Sequence, residues 1–460
     1  MAESKASARQ RPRLVGKDDE LSLSVSGYKA IRDEMTLRIA PLTIIAGANS
    51  AGKSSFMQPF LLMKQTLDSA FDPGPLLLHG PNVRATDRSQ ILSRGKSRSD
   101  VVQRFSAGMK TPRDSRKVTF GIDGLDLVIE TDEIGEDGQI IRLAEPLRKS
   151  DEKVLKQRFA DLAQRYLRVL RDTEAHGADS WGFDVVRNRC FLDLTLDLGV
   201  GDRRFGISVS DELTDDRRWV DLLRGIIHVP GLRGNPERSY SRSAVGSTFP
   251  GTFDTYVASI VYQWTEKDRT RLDRLSRQLE ELGLTWKLTA RRLNDASIEL
   301  LVGRTQHAQQ GGANDVVSVA DVGFGVSQTL PVLVALLTAK PGQIVYLEQP
   351  EIHLHPKAQL VLAAILVEAA GRGVRVVAET HSSLVIRGIQ TAVAERQLQP
   401  NDLSFNWFGR DALTGFQTIT TANVDEAGRF GDWPLDFDDV SREADWAYLD
   451  AVEERETGGR

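Results

Sequence analysis

Eight consecutive residues carry the chemistry most plainly. Gly47-Ala48-Asn49-Ser50-Ala51-Gly52-Lys53-Ser54 reads G-x-x-x-x-G-K-S, with Ser55 directly after it. In that pattern, backbone N–H groups at a helix N-terminus face an anion, and the helix dipole favours negative charge there. Lys53 is placed to reach β- and γ-phosphates, and the Ser54 hydroxyl is a ligand for Mg²⁺. Gly47, Asn49, Ser50, Ala51, Gly52, Lys53, Ser54 and Ser55 are therefore the expected phosphate-binding residues. The context fits: Leu42-Thr43-Ile44-Ile45-Ala46 reads as a buried strand, and Phe56 to Met63 as the first turns of a helix. The chain is expected to bind a nucleoside triphosphate.

A second group of candidates lies some 270 residues downstream. Ile344-Val345-Tyr346-Leu347 is an apolar strand ending in Glu348-Gln349-Pro350-Glu351. A carboxylate at such a strand end is where P-loop proteins hold Mg²⁺, so Glu348 joins Ser54 as the expected metal residue. Upstream, Val322-Gly323-Phe324-Gly325-Val326-Ser327-Gln328 precedes the apolar run Leu330 to Leu337. A Gly/Ser turn opening a helix makes a second anion site, with Gly325, Ser327 and Gln328 as its candidates. Within one chain it reaches the Lys53 phosphates only with difficulty, so it is expected to serve a partner protomer. His381 follows the strand Val374 to Ala378, at the edge where open α/β sheets place ligands.

The elements that must position these groups form an α/β chain. Leu21 to Val25 and Met35 to Ile39 alternate like antiparallel strands and lead directly into the P-loop strand; residues 118–130 alternate likewise. Between them, residues 83–117 hold ten Arg and Lys with a single aromatic, Phe105, which reads as a solvated loop. Leu155, Phe159, Leu162, Tyr166 and Val169 recur at helical spacing, and so do Leu272, Leu275, Leu279 and Leu282. Each covers about two heptads, which suits a core helix or a protruding hairpin equally well. Ile226 to Gly234 and Pro236 to Tyr240 form a Pro-, Gly- and Arg-dense loop without assigned chemistry.

The bulk properties are ordinary: 460 residues, 40% apolar, 27% charged and a net charge of −5, which argues against a protein coated in nucleic acid. Cys190 is the single cysteine, so no internal disulfide and no Cys-based zinc site can form within one chain. No apolar run approaches the ~20 residues of a membrane span. Met1 to Arg13 reads as a polar tail and not a signal peptide, so a cytoplasmic protein is expected.

P-loop, Gly/Ser turn, acidic strand and terminal histidine, in this order, resemble an ABC-type ATPase head of the SMC, RecF and OLD kind. Leu347-Glu348-Gln349-Pro350-Glu351-Ile352-His353-Leu354-His355-Pro356 and Glu379-Thr380-His381-Ser382 are similar more narrowly to OLD-like bacterial AAA ATPases, many of them from antiphage defence modules. The loop from Arg233 to Tyr240 and Gly431-Asp432-Trp433-Pro434 share that likeness. The resemblance implies an α/β P-loop head with a mixed sheet, flanking helices, an N-terminal antiparallel β part and an inserted helical arm. The corresponding division is 1–145 and 286–420 for the two parts of the head, 146–285 for the arm and 421–460 for an acidic tail. It implies ATP and Mg²⁺ as cofactors and a head-to-tail dimer around two ATPs, with the Lys53 loop facing the partner's Ser327 turn. His381 resembles the switch histidine at the γ-phosphate; for the Q-loop position Gln65 and Gln90 both stay open.

Two departures from the pattern matter. ABC heads end the acidic strand in Asp-Glu, the second residue polarising the attacking water; here Glu348 and Gln349 stand there. Glutamine cannot take a proton, so either hydrolysis is slow or Glu351 supplies the carboxylate. OLD nucleases also carry a Toprim domain after the head, whereas only about 75 residues follow His381 here. The expected role is an ATP-held sensor or scaffold that controls a separate effector, a nuclease or toxin. The alternative is a RecF- or SMC-like ATPase acting directly on DNA, and a third reading is a subunit that binds nucleotide without hydrolysing it.

Overall fold

The computed structural model describes residues 20–48, 51–95, 100–124, 126–171, 179–200, 203–209, 216–304, 315–431 and 446. Strands β1 (Leu21–Ser26), β2 (Met35–Ile39) and β3 (Leu42–Gly47) lead into helix α1 (Lys53–Asp68). Next come β4 (Arg104–Lys110), β5 (Asp114–Asp123), β6 (Asp126–Glu136), β7 (Gln139–Leu143), α2 (Lys149–Arg171), β8 (Asp179–Asn188), β9 (Phe191–Val200) and β10 (Arg203–Ser208). Helix α3 (Asp216–Gly225) returns to β11 (Ile227–Val229), followed by β12 (Tyr240–Ser241), α4 (Val257–Lys267), α5 (Arg269–Glu281), β13 (Leu288–Arg292), β14 (Ser297–Gly303) and β15 (Val316–Ser318). The chain then alternates through α6 (Phe324–Thr338), β16 (Ile344–Glu348), α7 (Pro356–Gly371), β17 (Arg375–Thr380) and α8 (Ser383–Ala394), ending in β18 (Leu403–Arg410) and β19 (Gln417–Ala422).

The central sheet runs β11-β16-β17-β3-β18-β19, parallel except for β19. Its strands are apolar on both faces, as a sheet covered on two sides requires. Alternation divides them between two cores. Leu42, Ile44, Ala46, Val345, Leu347, Val376 and Ala378 pack with α4 to α8, while Ile45, Ile344, Tyr346 and Val377 pack with α1 and the N-terminal sheet. That second sheet, β2-β1-β4-β5-β6-β7, is antiparallel throughout. The architecture is the mixed α/β fold with an N-terminal antiparallel part.

Among the described residues of 146–285, the two Leu-rich helices α2 and α5 lie in different cores. Leu155, Phe159, Ala163 and Leu167 of α2 bury themselves on a three-stranded antiparallel sheet, β10-β9-β8, against Leu192, Leu194, Leu196 and Leu198. Leu162 and Tyr166 are partly buried there, and Val169 is exposed. Leu272, Leu275, Leu279 and Leu282 enter the core of the head itself. A 3.6-residue apolar period states that a helix face is covered and leaves open what covers it.

Candidate functional site

The phosphate loop bends where its glycines allow. Gly47 has φ +148°, and a Cβ there would run into the Phe408 carbonyl oxygen. Gly52 caps α1 in the left-handed region at φ +84°, a conformation other residues adopt at a cost. Lys53 then starts the helix with its side chain turned back on the loop, Nζ donating to the carbonyls of Gly47 (3.1 Å) and Ala48 (2.9 Å). Ala51 is buried and its N–H donates to the Ala48 carbonyl; Ser55 N–H donates to Gly52. Asn49 and Ser50 lie outside the described residues. Gln417 of β19 donates to the Gly52 carbonyl at 3.1 Å and holds the loop from the sheet edge.

The carboxylate beside Ser54 is Glu379; Glu348, the expected metal residue, sits opposite it on the neighbouring strand β16. Ser54 Oγ donates to Glu379 Oε2 at 2.8 Å, and the Tyr346 hydroxyl donates to Glu379 Oε1. Strand order explains the contact. β17 lies directly between β16 and β3, and on it Glu379 shares the face of Val377, the face that α1 covers. Complete burial raises the Glu379 carboxyl to about 7, with the Glu348 charge pushing the same way and the bonds from Tyr346 and Ser54 opposing. Tyr346 is driven far above its usual range, chiefly by burial and then by the Glu379 charge. Neither Tyr346, inside an apolar run, nor Glu379 was selected from sequence; an ionisable residue inside a buried parallel strand is the signal that could have found both.

Glu348 is held elsewhere. His228 Nε2 lies 3.1 Å from its Oε1, and the Gly231 N–H donates to Oε2 at 3.0 Å. Asn82 Nδ2 stands 3.0 Å from His228 Nδ1 and also donates to the Gly251 carbonyl, so the imidazole accepts at Nδ1 and donates at Nε2 to Glu348. The ring stacks on Tyr346 at 5.3 Å. Burial works to raise the Glu348 carboxyl, but His228, Gly231 and Arg233 together hold it below its ordinary value.

Beyond Glu348 the chain turns sharply: Gln349 has φ +44° and donates its N–H to the Glu379 carbonyl. Glu351 is buried. Its Oε1 accepts from Thr380 Oγ1 (2.7 Å) and from the His381 N–H (2.8 Å), while Oε2 is buried without a partner. The His381 ring bonds to the Gly47 backbone, and burial first, then the Lys53 charge, lowers its pKa. Lys53, Ser54, Glu351, Glu379 and His381 thus share one sheet edge. Burial lowers the Lys53 pKa, opposed by the charges of Glu379 and Glu351.

Gly325 and Ser327 open α6. A Cβ on Gly325 would press on Leu284 at 3.0 Å; Ser327 is half-buried, and its hydroxyl donates to the Phe324 carbonyl. Gln328 departs from its expected role: its side chain is buried and donates to the carbonyls of Arg233 and Gly234. Gln65 is likewise spent inside the fold, clamping Leu77, Asn82 and Val83. The basic run is a solvated loop only in part: residues 104–117 take in β4 and the start of β5, and Arg116 is buried. Arg104 pairs with Glu130, Lys117 with Glu34, Arg88 reaches the Gly124 carbonyl, and Arg116 is buried against Asp132. Lys96 and Arg98 lie outside the described residues, as does almost all of the acidic tail. No described helix is long and apolar enough to cross a membrane.

The donor set suits a hard divalent cation. Ser54 and Glu379 offer oxygen only, which fits Mg²⁺, an ion that takes one or two carboxylates and leaves its other positions to phosphate and water. Among the described residues no group of three or more His, Cys, Asp and Glu would hold a metal unaided.

Residues 208–387 match the family described as "AAA domain, putative AbiEii toxin, Type IV TA system". The match takes in the Gly325–Gln328 turn, the acidic strand and His381, and lies wholly downstream of Lys53. No curated protein matches the chain. Among solved structures, the SMC head bound to the C-winged helix domain of ScpA is similar at 11% identity and a TM-score of 0.45, over 88% of this chain and 98% of that one. The SMC head domain from Thermotoga maritima is similar at 10% identity and 0.40, over 88% and 99%. An Smc head with an extended coiled coil, bound to the C-terminal domain of ScpA derived from Pyrococcus furiosus, gives 10% and 0.40, over 88% and 96%.

Proposed function

We propose that this P-loop ATPase, with its AAA domain matched over residues 208–387, closes as a dimer around two Mg·ATP and works as a slowly hydrolysing clamp. The observation that carries the proposal is the convergence of Lys53, Ser54, Glu379, Glu351 and His381 on one sheet edge. Backbone N–H groups of the 47–54 loop and Lys53 bind the phosphates. Ser54 and Glu379 would hold Mg²⁺, which would supply charge neutralisation to the phosphates, with Glu348 nearby on its His228 tether. His381, already on Gly47, meets the γ-phosphate.

Gln349 orients water but cannot deprotonate it, whereas Glu351 has a carboxylate oxygen without a partner at the same edge. Glu351 is therefore the group assigned to water activation, and with that oxygen buried away from solvent the step stays slow. The Ser327 turn serves the partner's nucleotide. The name of the matched family, a putative toxin of a toxin–antitoxin system, supports a role in a bacterial toxin or antiphage module. There, ATP-held dimers would keep or release a separate effector.

Light scattering with and without Mg·ATP, on wild type, Lys53→Ala and Gln349→Glu with phosphate followed in the same samples, tests this reading. The expectation is nucleotide-dependent dimers with little phosphate release, and no release in Lys53→Ala. Turnover as brisk as that of an ordinary ATPase would remove the clamp, and a salt-dependent DNA shift by the protein alone would favour direct action on DNA.

A further inference from the structure

Arg233 lies in the loop after β11, the Pro-, Gly- and Arg-dense stretch to which sequence gave no chemistry, and only 8% of it is exposed. Its Nη1 donates to the Gln328 carbonyl at 2.8 Å. Its Nη2 donates to the carbonyls of Glu348 at 3.0 Å and Gln349 at 3.4 Å. The Gln328 side chain answers with bonds to the carbonyls of Arg233 (3.3 Å) and Gly234 (3.1 Å). One loop is thus clamped at once to the end of the acidic strand and to the opening turns of α6.

Two physical points give this clamp a function. A guanidinium is a rigid planar fork, so its donors cannot follow two elements that move apart. And Gln349 sits at φ +44°, a region a non-glycine residue keeps only while its surroundings impose it. The bonds imposing it come from the Glu379 carbonyl, from the Ile352 N–H and from Arg233. Any shift of the Glu348–Gln349 backbone is therefore felt by Gln328.

We infer that Arg233 is a positioning residue that couples the two nucleotide sites of a dimer, tying the Glu348–Gln349 backbone at the chain's own phosphate site to the helix whose Gly325–Ser327 turn faces the partner's. This rests on the sandwich dimer proposed above. Occupancy at one site is relayed through Arg233 to the turn that completes the other, so neither site fires alone.

The test mixes wild-type protein with Lys53→Ala protein, lets protomers exchange and follows phosphate release as the proportion changes. Coupled sites leave roughly a quarter of the rate at equal mixing, because only doubly competent dimers turn over; independent sites leave roughly a half. Wild type is expected to follow the first course. Arg233→Lys, placed in both the competent and the Lys53→Ala chain, is expected to follow the second while still dimerising with nucleotide. Should Arg233→Lys not fold, Gln328→Met severs the answering bonds from the other side and is expected to behave the same way. Arg233→Lys or Gln328→Met dimers that keep the quarter-rate course would overturn the role of Arg233, as would wild-type dimers that follow the half-rate course. Absence of any nucleotide-dependent dimer in wild type would instead overturn the sandwich and the coupling with it.

Discussion

Ser54 and Glu379, 325 residues apart in sequence, meet through a 2.8 Å hydrogen bond between hydroxyl and carboxylate. Through it the first turn of α1 is joined to the end of the neighbouring strand β17, in the place where P-loop chemistry needs a cation. It also leaves a wholly buried carboxyl that titrates near neutrality.

The first prediction concerns the pH dependence of stability without nucleotide. Glu379 is raised from 4.5 to about 7 in the folded chain, mainly by burial. The folded state therefore keeps a proton that the unfolded state gives up, so this group's contribution is fully present below pH 4.5 and lost as pH rises through about 7. The shift corresponds to about 3 kcal/mol at most. Thermal melting of wild type against Glu379→Gln should show the wild type falling behind between pH 5 and pH 8. Parallel curves across that range would place the neutral-range titration elsewhere.

Tyr346→Phe isolates the bond that steadies this carboxylate. The phenol donates to Glu379 and so favours its ionised form, and removing it should push the carboxyl higher still. The midpoint of the stability change seen in the first experiment should then move above 7, and Mg²⁺-dependent nucleotide binding should weaken most at pH 6 to 7. A midpoint that stays in place would mean that the phenol only fills space.

Part of this arrangement was legible in the sequence and part was not, for physical reasons. Lys53, Ser54, Glu351 and His381 could be selected because a phosphate loop and strand-end acids require contiguous residues of fixed type. Glu379 was passed over for Glu348, because which carboxylate meets Ser54 depends on β17 lying between β16 and β3, and strand order is not written in any one segment. Tyr346 sits inside an apolar run that reads as core and His228 in a stretch that reads as a loop, and their roles depend on partners 33 and 120 residues away. The two Leu-rich helical stretches gave the right element and left the covering surface undetermined: β9 for α2, the head core for α5.

The α2 subdomain is pinned to the head by a charge pair that can be tested alone. Arg116 on β5 and Asp132 on β6 are both buried and form a bidentate pair; Asp132 also accepts the Leu192 N–H, and the guanidinium lies 3.8 Å from the centre of the Phe191 ring. Breaking one side of such a pair costs about 3–5 kcal/mol, because the other charge stays buried alone. Asp132→Leu should therefore lower the melting temperature sharply, and the double change Arg116→Met with Asp132→Leu should recover a large part of the loss. A double variant no better than the single one would show that the bonds to β9, and not the buried charge, carry the stability.

Glu351 gives the sharpest test of the chemistry. One of its oxygens is fixed by Thr380 and the His381 N–H, which holds the carboxylate still; the other has no partner and lies at the edge shared by Lys53 and His381. A glutamine there keeps the acceptor that Thr380 and His381 use and loses only the ability to take a proton. Glu351→Gln should then bind Mg·ATP and form dimers like wild type, while single-turnover phosphate release falls by about 10²- to 10⁴-fold, the usual worth of a general base. Gln349→Glu, by contrast, should change that rate little, because the base is already present. If Gln349→Glu accelerates release strongly and Glu351→Gln leaves it untouched, the water is oriented at residue 349, and Glu351 serves only to hold the His381 backbone in place.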